Sequence, residues 1–168
     1  MEKEIIKMIA GGIGGANTQT GVMFEMQTDL ETNLINAGID IHNVIFLKQT
    51  KFPKYMKEHG FDMTENFGKK FQPDEAFIYN NHLFVIEKKY QCVSGSVDEK
   101  IQTGPYKKLI YDTCAEALGL DGATYIYLLV GSAFNIDKYT KHQIPYLIKS
   151  GIPVYFDNFP INDYFKAV

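Results

Sequence analysis

Pro73-Asp74-Glu75-Ala76-Phe77-Ile78-Tyr79-Asn80-Asn81-His82-Leu83-Phe84-Val85-Ile86-Glu87-Lys88-Lys89-Tyr90-Gln91 is the stretch of the 168-residue chain from which its architecture can be read. Two runs rich in β-branched and aromatic residues flank Asn80-Asn81, a dipeptide that tolerates the positive φ of a tight hairpin turn. If Asn80-Asn81 is the turn, Tyr79 faces His82, and stepping outward one residue at a time brings Asp74 opposite Glu87. A symmetric four-residue loop, Tyr79 to His82, preserves that pairing. Directly opposed residues stand about 4.5–5.5 Å apart at Cβ, and like charges in that position destabilise a sheet. A divalent cation bridged by both carboxylates would offset the repulsion.

The period of two along a strand places Glu87, Lys89 and Gln91 on one face, with Lys88 and Tyr90 on the other. A lysine therefore stands beside the expected metal, where its ammonium group can hold an attacking water or stabilise charge developing on a phosphate. The cation would polarise the phosphoryl oxygen and lower the pKa of a bound water. Oxygen ligands without His or Cys point to Mg²⁺, with Mn²⁺ as a substitute. The alternative is two solvated carboxylates at strand ends. Against it, Leu83-Phe84-Val85-Ile86 is an interior-type strand running directly into three charged residues, a local conflict of the kind found at functional sites.

Outward from the hairpin, Thr18 and Thr20 are possible caps for a helix reaching about Ala37, with apolar positions Val22, Met23, Met26, Leu30, Leu34 and Ile35. His42 to Leu47 reads as a short strand, and Phe52 to Asn66 as a polar, irregular, lysine-bearing stretch with room for one short helix. Ser96-Val97-Asp98-Glu99 fits a capping box. Gly104-Pro105 then interrupts or restarts the helix, which continues through Leu109, Ile110 and Cys114 to Leu118. Ala123 to Val130 is an almost continuous apolar run, as expected of a central strand covered on both faces. Asp137 to Lys149 reads as a helix, Ile152 to Phe156 as a strand and Ile161 to Val168 as a terminal helix. This order predicts an α/β sandwich with a mixed sheet.

The motif residues resemble the PD-(D/E)xK nucleases, a superfamily that includes many type II restriction endonucleases, Holliday junction resolvases and repair nucleases. The pattern stands here as Pro73-Asp74, twelve intervening residues, then Glu87-Lys88-Lys89. The likeness extends over roughly Thr18 to Val130 and follows the family's order of elements. It implies a restriction-endonuclease-like three-layer sandwich with a central mixed sheet, and Mg²⁺-dependent hydrolysis of DNA phosphodiesters. In that scheme Asp74 and Glu87 are metal ligands, the backbone carbonyl of Lys88 is a third, and Lys89 is the catalytic lysine. Many members carry a glutamate on the first helix, a position Glu25 matches. Gln91 matches a glutamine that often follows the lysine by two positions. Gln102 and Tyr106 match the Q-x-x-x-Y spacing of the exonuclease branch, although Gly104-Pro105 falls inside it and is expected to disturb the helix that carries it.

Composition agrees with one domain spanning residues 1–168: a single core usually serves about 100–200 residues. Apolar residues make up 45% and charged residues 22%, which excludes disorder and fibrous repeats. No apolar run approaches the roughly 18 residues of a membrane span, and Met1-Glu2-Lys3-Glu4 is not a secretory signal, so a cytoplasmic protein is expected. Cys92 and Cys114 form no disulfide framework and no zinc spacing. The chain has a formal charge of -3, but Lys48 to Lys108 carries 11 lysines against 8 acids. Within that basic middle, Lys51, Lys54, Lys107 and Lys108 are candidate phosphate contacts; each serves equally well as part of a solvated face. All 17 basic side chains are lysines, so the arginine–guanine pairing that is the commonest specific base contact is absent.

Gly11-Gly12-Ile13-Gly14-Gly15 before a helix imitates a phosphate loop, but neither G-x-G-x-x-G nor G-x-x-x-x-G-K-[ST] is present, and no nucleotide cofactor is expected. The expected function is cleavage of a specific double-stranded DNA sequence by a homodimeric type II restriction enzyme, the twofold matching a palindromic target. The alternatives are a structure-selective nuclease of the resolvase or repair type, and a non-catalytic nucleic-acid-binding module on the same fold. The joint presence of Asp74, Glu87 and Lys89 speaks against the last.

Overall fold

The computed structural model describes Phe24, Met26, residues 28–91, 97–132, Phe134 and residues 143–165. Glu25, Cys92 and the glycine cluster at 11–15 lie outside the described residues. The elements run α1 (Leu30–Asn36), β1 (Ile45–Phe46), α2 (Lys51–Glu58), α3 (Met63–Phe67), β2 (Glu75–Tyr79), β3 (His82–Tyr90), α4 (Val97–Ile101), α5 (Gly104–Ala117), β4 (Ala123–Val130), α6 (Gln143–Lys149), β5 (Val154–Phe156) and α7 (Ile161–Tyr164).

The strands form one five-stranded sheet in the order β1-β2-β3-β4-β5. β1 and β2 pair antiparallel, as do β2 and β3, while β3, β4 and β5 run parallel to one another. A parallel neighbour needs a long crossover, supplied between β3 and β4 by α4 and α5. The hairpin closes through Asn80 and Asn81 at φ 49° and 59°, with Tyr79 opposite His82 and Glu75 opposite Ile86. These positive φ values give the turn the twist that the flanking strands require. Asn81 is also tied to the start of β4, because its amide donates to Asp121 Oδ1 at 2.8 Å.

Alternation along the strands separates two apolar clusters. Leu83, Val85, Tyr125, Tyr127 and Leu129 face α2, α5 and α6, meeting Phe52, Met56, Tyr111, Cys114 and Leu147. Ile86, Ile126, Leu128 and Phe77 face the other way, meeting Leu30 and Leu34 of α1 and Phe165. The architecture is therefore α/β, a mixed sheet with helices on both faces, compatible with a three-layer sandwich. Among the described residues no helix is long and apolar enough to cross a membrane.

Several elements differ from the sequence reading. Phe24 and Met26 are helical, but the helix does not run unbroken to Ala37: Asp29 adopts an extended conformation and caps α1, accepting from the Thr32 N–H at 3.0 Å. Met26 and Ile35, read as apolar positions of that helix, are exposed. The stretch after Thr50 contains two helices, because Asp62 caps α3 and Gly68 ends it in the left-handed conformation. The strand expected from His42 narrows to Ile45 and Phe46, although Leu47 and Gln49 still donate to Ala76 O and Pro73 O along the same edge. Gly104 and Pro105 restart the helix as α5. Gln102 is left in the turn and Tyr106 half exposed against Phe71, so the Q-x-x-x-Y spacing is split between two elements.

Candidate active site

β3 carries its apolar alternation as far as Ile86 and then delivers Glu87 and Lys88 into the interior, where they are 8% and 4% exposed. Continuing the hairpin register by one residue past Glu75 and Ile86 sets Asp74 opposite Glu87. Asp74 Oδ2 accepts the backbone N–H of Lys88 at 2.8 Å, which holds the start of β2 against β3 where the ladder runs out. Glu87 Oε1 accepts from two ammonium groups, Lys89 Nζ at 2.5 Å and Lys107 Nζ at 2.7 Å. Lys89 Nζ also donates to the carbonyl of Lys88 at 3.2 Å. Asp74, Glu87, the Lys88 carbonyl and Lys89 are thus gathered at one end of the hairpin.

Lys107 reaches the cluster from α5, and Gly104 makes that approach possible. A Cβ on Gly104 would come within 2.9 Å of the Tyr127 ring and 3.1 Å of the Ile152 and Leu147 side chains. The bare backbone lets the first turn of α5 settle onto β4, with Lys107 one turn further on.

The charges are matched inside this pocket of the fold. Burial by itself raises the pKa of Glu87, but Lys89 and Lys107 outweigh it and hold the carboxyl below the usual carboxylate range. Burial, followed by the negative charge of Glu87, pushes the Tyr111 hydroxyl far up, so it remains a neutral wall beneath the site. Tyr125 and Tyr127 are shifted upward for the same leading reason, with Glu87 again contributing.

Two carboxylates and a peptide carbonyl form an oxygen donor set of the kind that suits a hard divalent cation. The convergence of two ammonium groups on one carboxylate oxygen marks the point where positive charge is stabilised. Among the described residues no group of three or more His, Cys, Asp or Glu side chains is placed to hold a metal ion.

The other sequence candidates are dispersed. Gln91 continues the face of Glu87 and Lys89; its N–H donates to Val130 O at 3.0 Å, and its carbonyl presses against Gly131. Lys51 and Lys54 are exposed on α2, Lys54 lying 3.7 Å from Glu58. Lys108 turns away from Lys107 and pairs with Asp112 at 2.6 Å. Lys107, expected at a DNA phosphate, lies on Glu87 itself.

The opposite face of the sheet holds charges that the sequence reading did not single out. Glu75 Oε1 accepts from Lys88 Nζ at 2.8 Å, with the two side chains 4% and 1% exposed, and Asp29 pairs with Lys48 nearby. The hairpin register contains the clue, because a residue one pair removed on the same face lies diagonally within reach of a long side chain. Glu75 and Lys88 stand in that relation across Ile86. A cavity of about 280 Å³ opens on this face between Leu30, Ile86, Lys88, Leu128 and Phe159, separated by the sheet from Asp74 and Glu87.

Comparison with known protein families, curated proteins and solved structures gives no match to this chain.

Proposed function

We propose that the chain is a Mg²⁺-dependent DNA endonuclease of the PD-(D/E)xK type with a restriction-endonuclease-like fold, cutting a specific double-stranded sequence as a homodimeric type II restriction enzyme. The observation that carries this reading is the opposition of Asp74 and Glu87 across the hairpin with Lys89 Nζ 2.5 Å from Glu87. The mixed sheet and the crossover helices after β3 support it, since they follow the order of elements in that superfamily.

Asp74, Glu87 and the Lys88 carbonyl would hold the cation. When bound, it supplies Lewis-acid polarisation of the phosphoryl oxygen and acidifies a water. Asp74 and Glu87 then act as anionic anchors whose geometry is set by the strands. Lys89 orients the attacking water and offsets the charge that gathers on the phosphate as the water oxygen bonds to phosphorus and the bond to the leaving oxygen breaks. The electron pair of that bond leaves on the sugar oxygen, which takes up a proton. The attacking water gives up one, so the balance is hydrolytic and needs no further reactant. Burial of Glu87 and the tyrosine floor below it lower the local dielectric, which strengthens each of these interactions.

The test is incubation with unmethylated plasmid DNA and Mg²⁺. Discrete fragments that disappear in EDTA, and in an Asp74→Ala protein that still folds, are the expected result. Cleavage confined to branched DNA would replace restriction by a resolvase-type activity. DNA binding without cleavage in Mg²⁺ or Mn²⁺ would remove the enzymatic reading.

A further inference from the structure

We infer that Lys107 is a second active-site lysine, which neutralises Glu87 while no metal is bound and passes to the scissile phosphate once a cation takes its place. The inference rests on the metal-dependent nuclease reading and deepens it. Lys89 Nζ and Lys107 Nζ share one oxygen, Glu87 Oε1, at 2.5 and 2.7 Å. A divalent cation arriving between Asp74 and Glu87 adds two positive charges to a spot that already holds two. Like charges so close in a poorly solvated place repel strongly, and one ammonium group must yield.

The structure distinguishes the two lysines. Lys89 sits two residues from Glu87 on the same strand and is held a second time by the Lys88 carbonyl. Lys107 comes from a different element, α5, and is the more exposed of the pair, 28% against 19%. Its flexible four-carbon stem carries a compact charge that can change partner without moving the helix. Gly104, fitted against Tyr127, keeps the base of that stem close to the site. A phosphate brought to the cation lies within the sweep of such an arm and offers it a new anionic partner. Lys107 then stabilises the charge that develops on the phosphoryl oxygens, alongside Lys89.

The mechanism predicts opposite movements in two measurements on Lys107→Met. Without DNA, calorimetric titration with Mn²⁺ gives several-fold tighter binding than wild type, because a competing cation has been removed. At saturating Mg²⁺, plasmid cleavage slows about 100-fold, the usual order for loss of one donor to a developing negative charge. A group that merely supports the carboxylates would weaken both together. Lys107→Arg, which retains the positive charge, binds Mn²⁺ as weakly as wild type and regains part of the rate. If Lys107→Met fails to fold by circular dichroism, Lys107→Gln is put through the same two measurements, since it keeps a neutral hydrogen bond to Glu87. Wild-type cleavage rates in the substituted protein, or Mn²⁺ binding no tighter than wild type, would overturn the inference and leave the nuclease reading standing. A wild-type protein that binds Mn²⁺ yet cuts no DNA would overturn both.

Discussion

Lys88 Nζ lies 2.8 Å from Glu75 Oε1 on the face of the sheet opposite Glu87, and both side chains are buried. The pair joins β2 to β3 one residue away from Asp74 on the first strand and from Glu87 and Lys89 on the second. Burial raises the pKa of Glu75, and the positive charges of Lys88 and Lys48 only partly counter it.

Breaking that pair on one side leaves an uncompensated charge in the core. Glu75→Leu or Lys88→Met alone is expected to cost about 3–5 kcal/mol of folding stability. The double substitution, which removes both charges, should recover most of the loss or exceed wild type. Denaturant unfolding of the three proteins measures this; equal losses in the single and double variants would show that the pair does not act as a unit.

Asp74→Asn retains an oxygen to accept the Lys88 N–H but loses the charge. Thermal melting should therefore stay close to wild type while Mg²⁺-dependent cleavage disappears. Lys89→Ala should reduce cleavage by about 100- to 1,000-fold, the range for one group facing developing charge in a dry site. Plasmid digestion beside a circular dichroism melt separates chemistry from folding in both variants.

Glu87 also gives the fold a predictable acid sensitivity. Its folded pKa lies below the reference value of 4.5, so its contribution to stability is fully present above that pH and is lost as pH falls through the lower folded value. Glu87→Gln removes the contribution at every pH. The difference in unfolding free energy between wild type and Glu87→Gln should thus be largest near neutrality and shrink below pH 4.5. Urea unfolding across that range would refute the assignment if the difference were constant.

Gly131 ends β4 at φ +114°, and a Cβ there would collide with the backbone carbonyl of Gln91. Neither partner is the tip of a flexible side chain, so no rotamer change relieves the contact. Gly131→Ala should cost about 1–3 kcal/mol from the strained backbone alone. Because the contact falls two residues beyond Lys89, cleavage should drop as well, measurable on protein that remains folded at low temperature.

Much of the hairpin was legible because its determinants are local. The positive φ of Asn80 and Asn81 sets the turn, the turn sets the register, and the register sets Asp74 opposite Glu87. The same holds for Ala123–Val130, where a continuous apolar run becomes a strand packed on both faces. Boundaries were lost where a single side chain decided them. Asp29 splits the first helix by capping a new one, and Asp62 starts a helix in a stretch read as irregular.

The tertiary structure alone decided which charges meet. Lys107 stands 20 residues from Glu87 in the chain, and no periodicity relates a helix on one face to a strand beneath it; the close seating of Gly104 on Tyr127 brings them together. The burial of Glu75 with Lys88 likewise depends on α1 covering that face, since without Leu30 and Leu34 the two charges would lie in water and have little effect on each other. Local sequence specifies the strands, the turn and the opposition of two carboxylates, because those depend on neighbours in the chain. The partners of each charge depend on packing between distant elements, which takes shape only when the chain has folded.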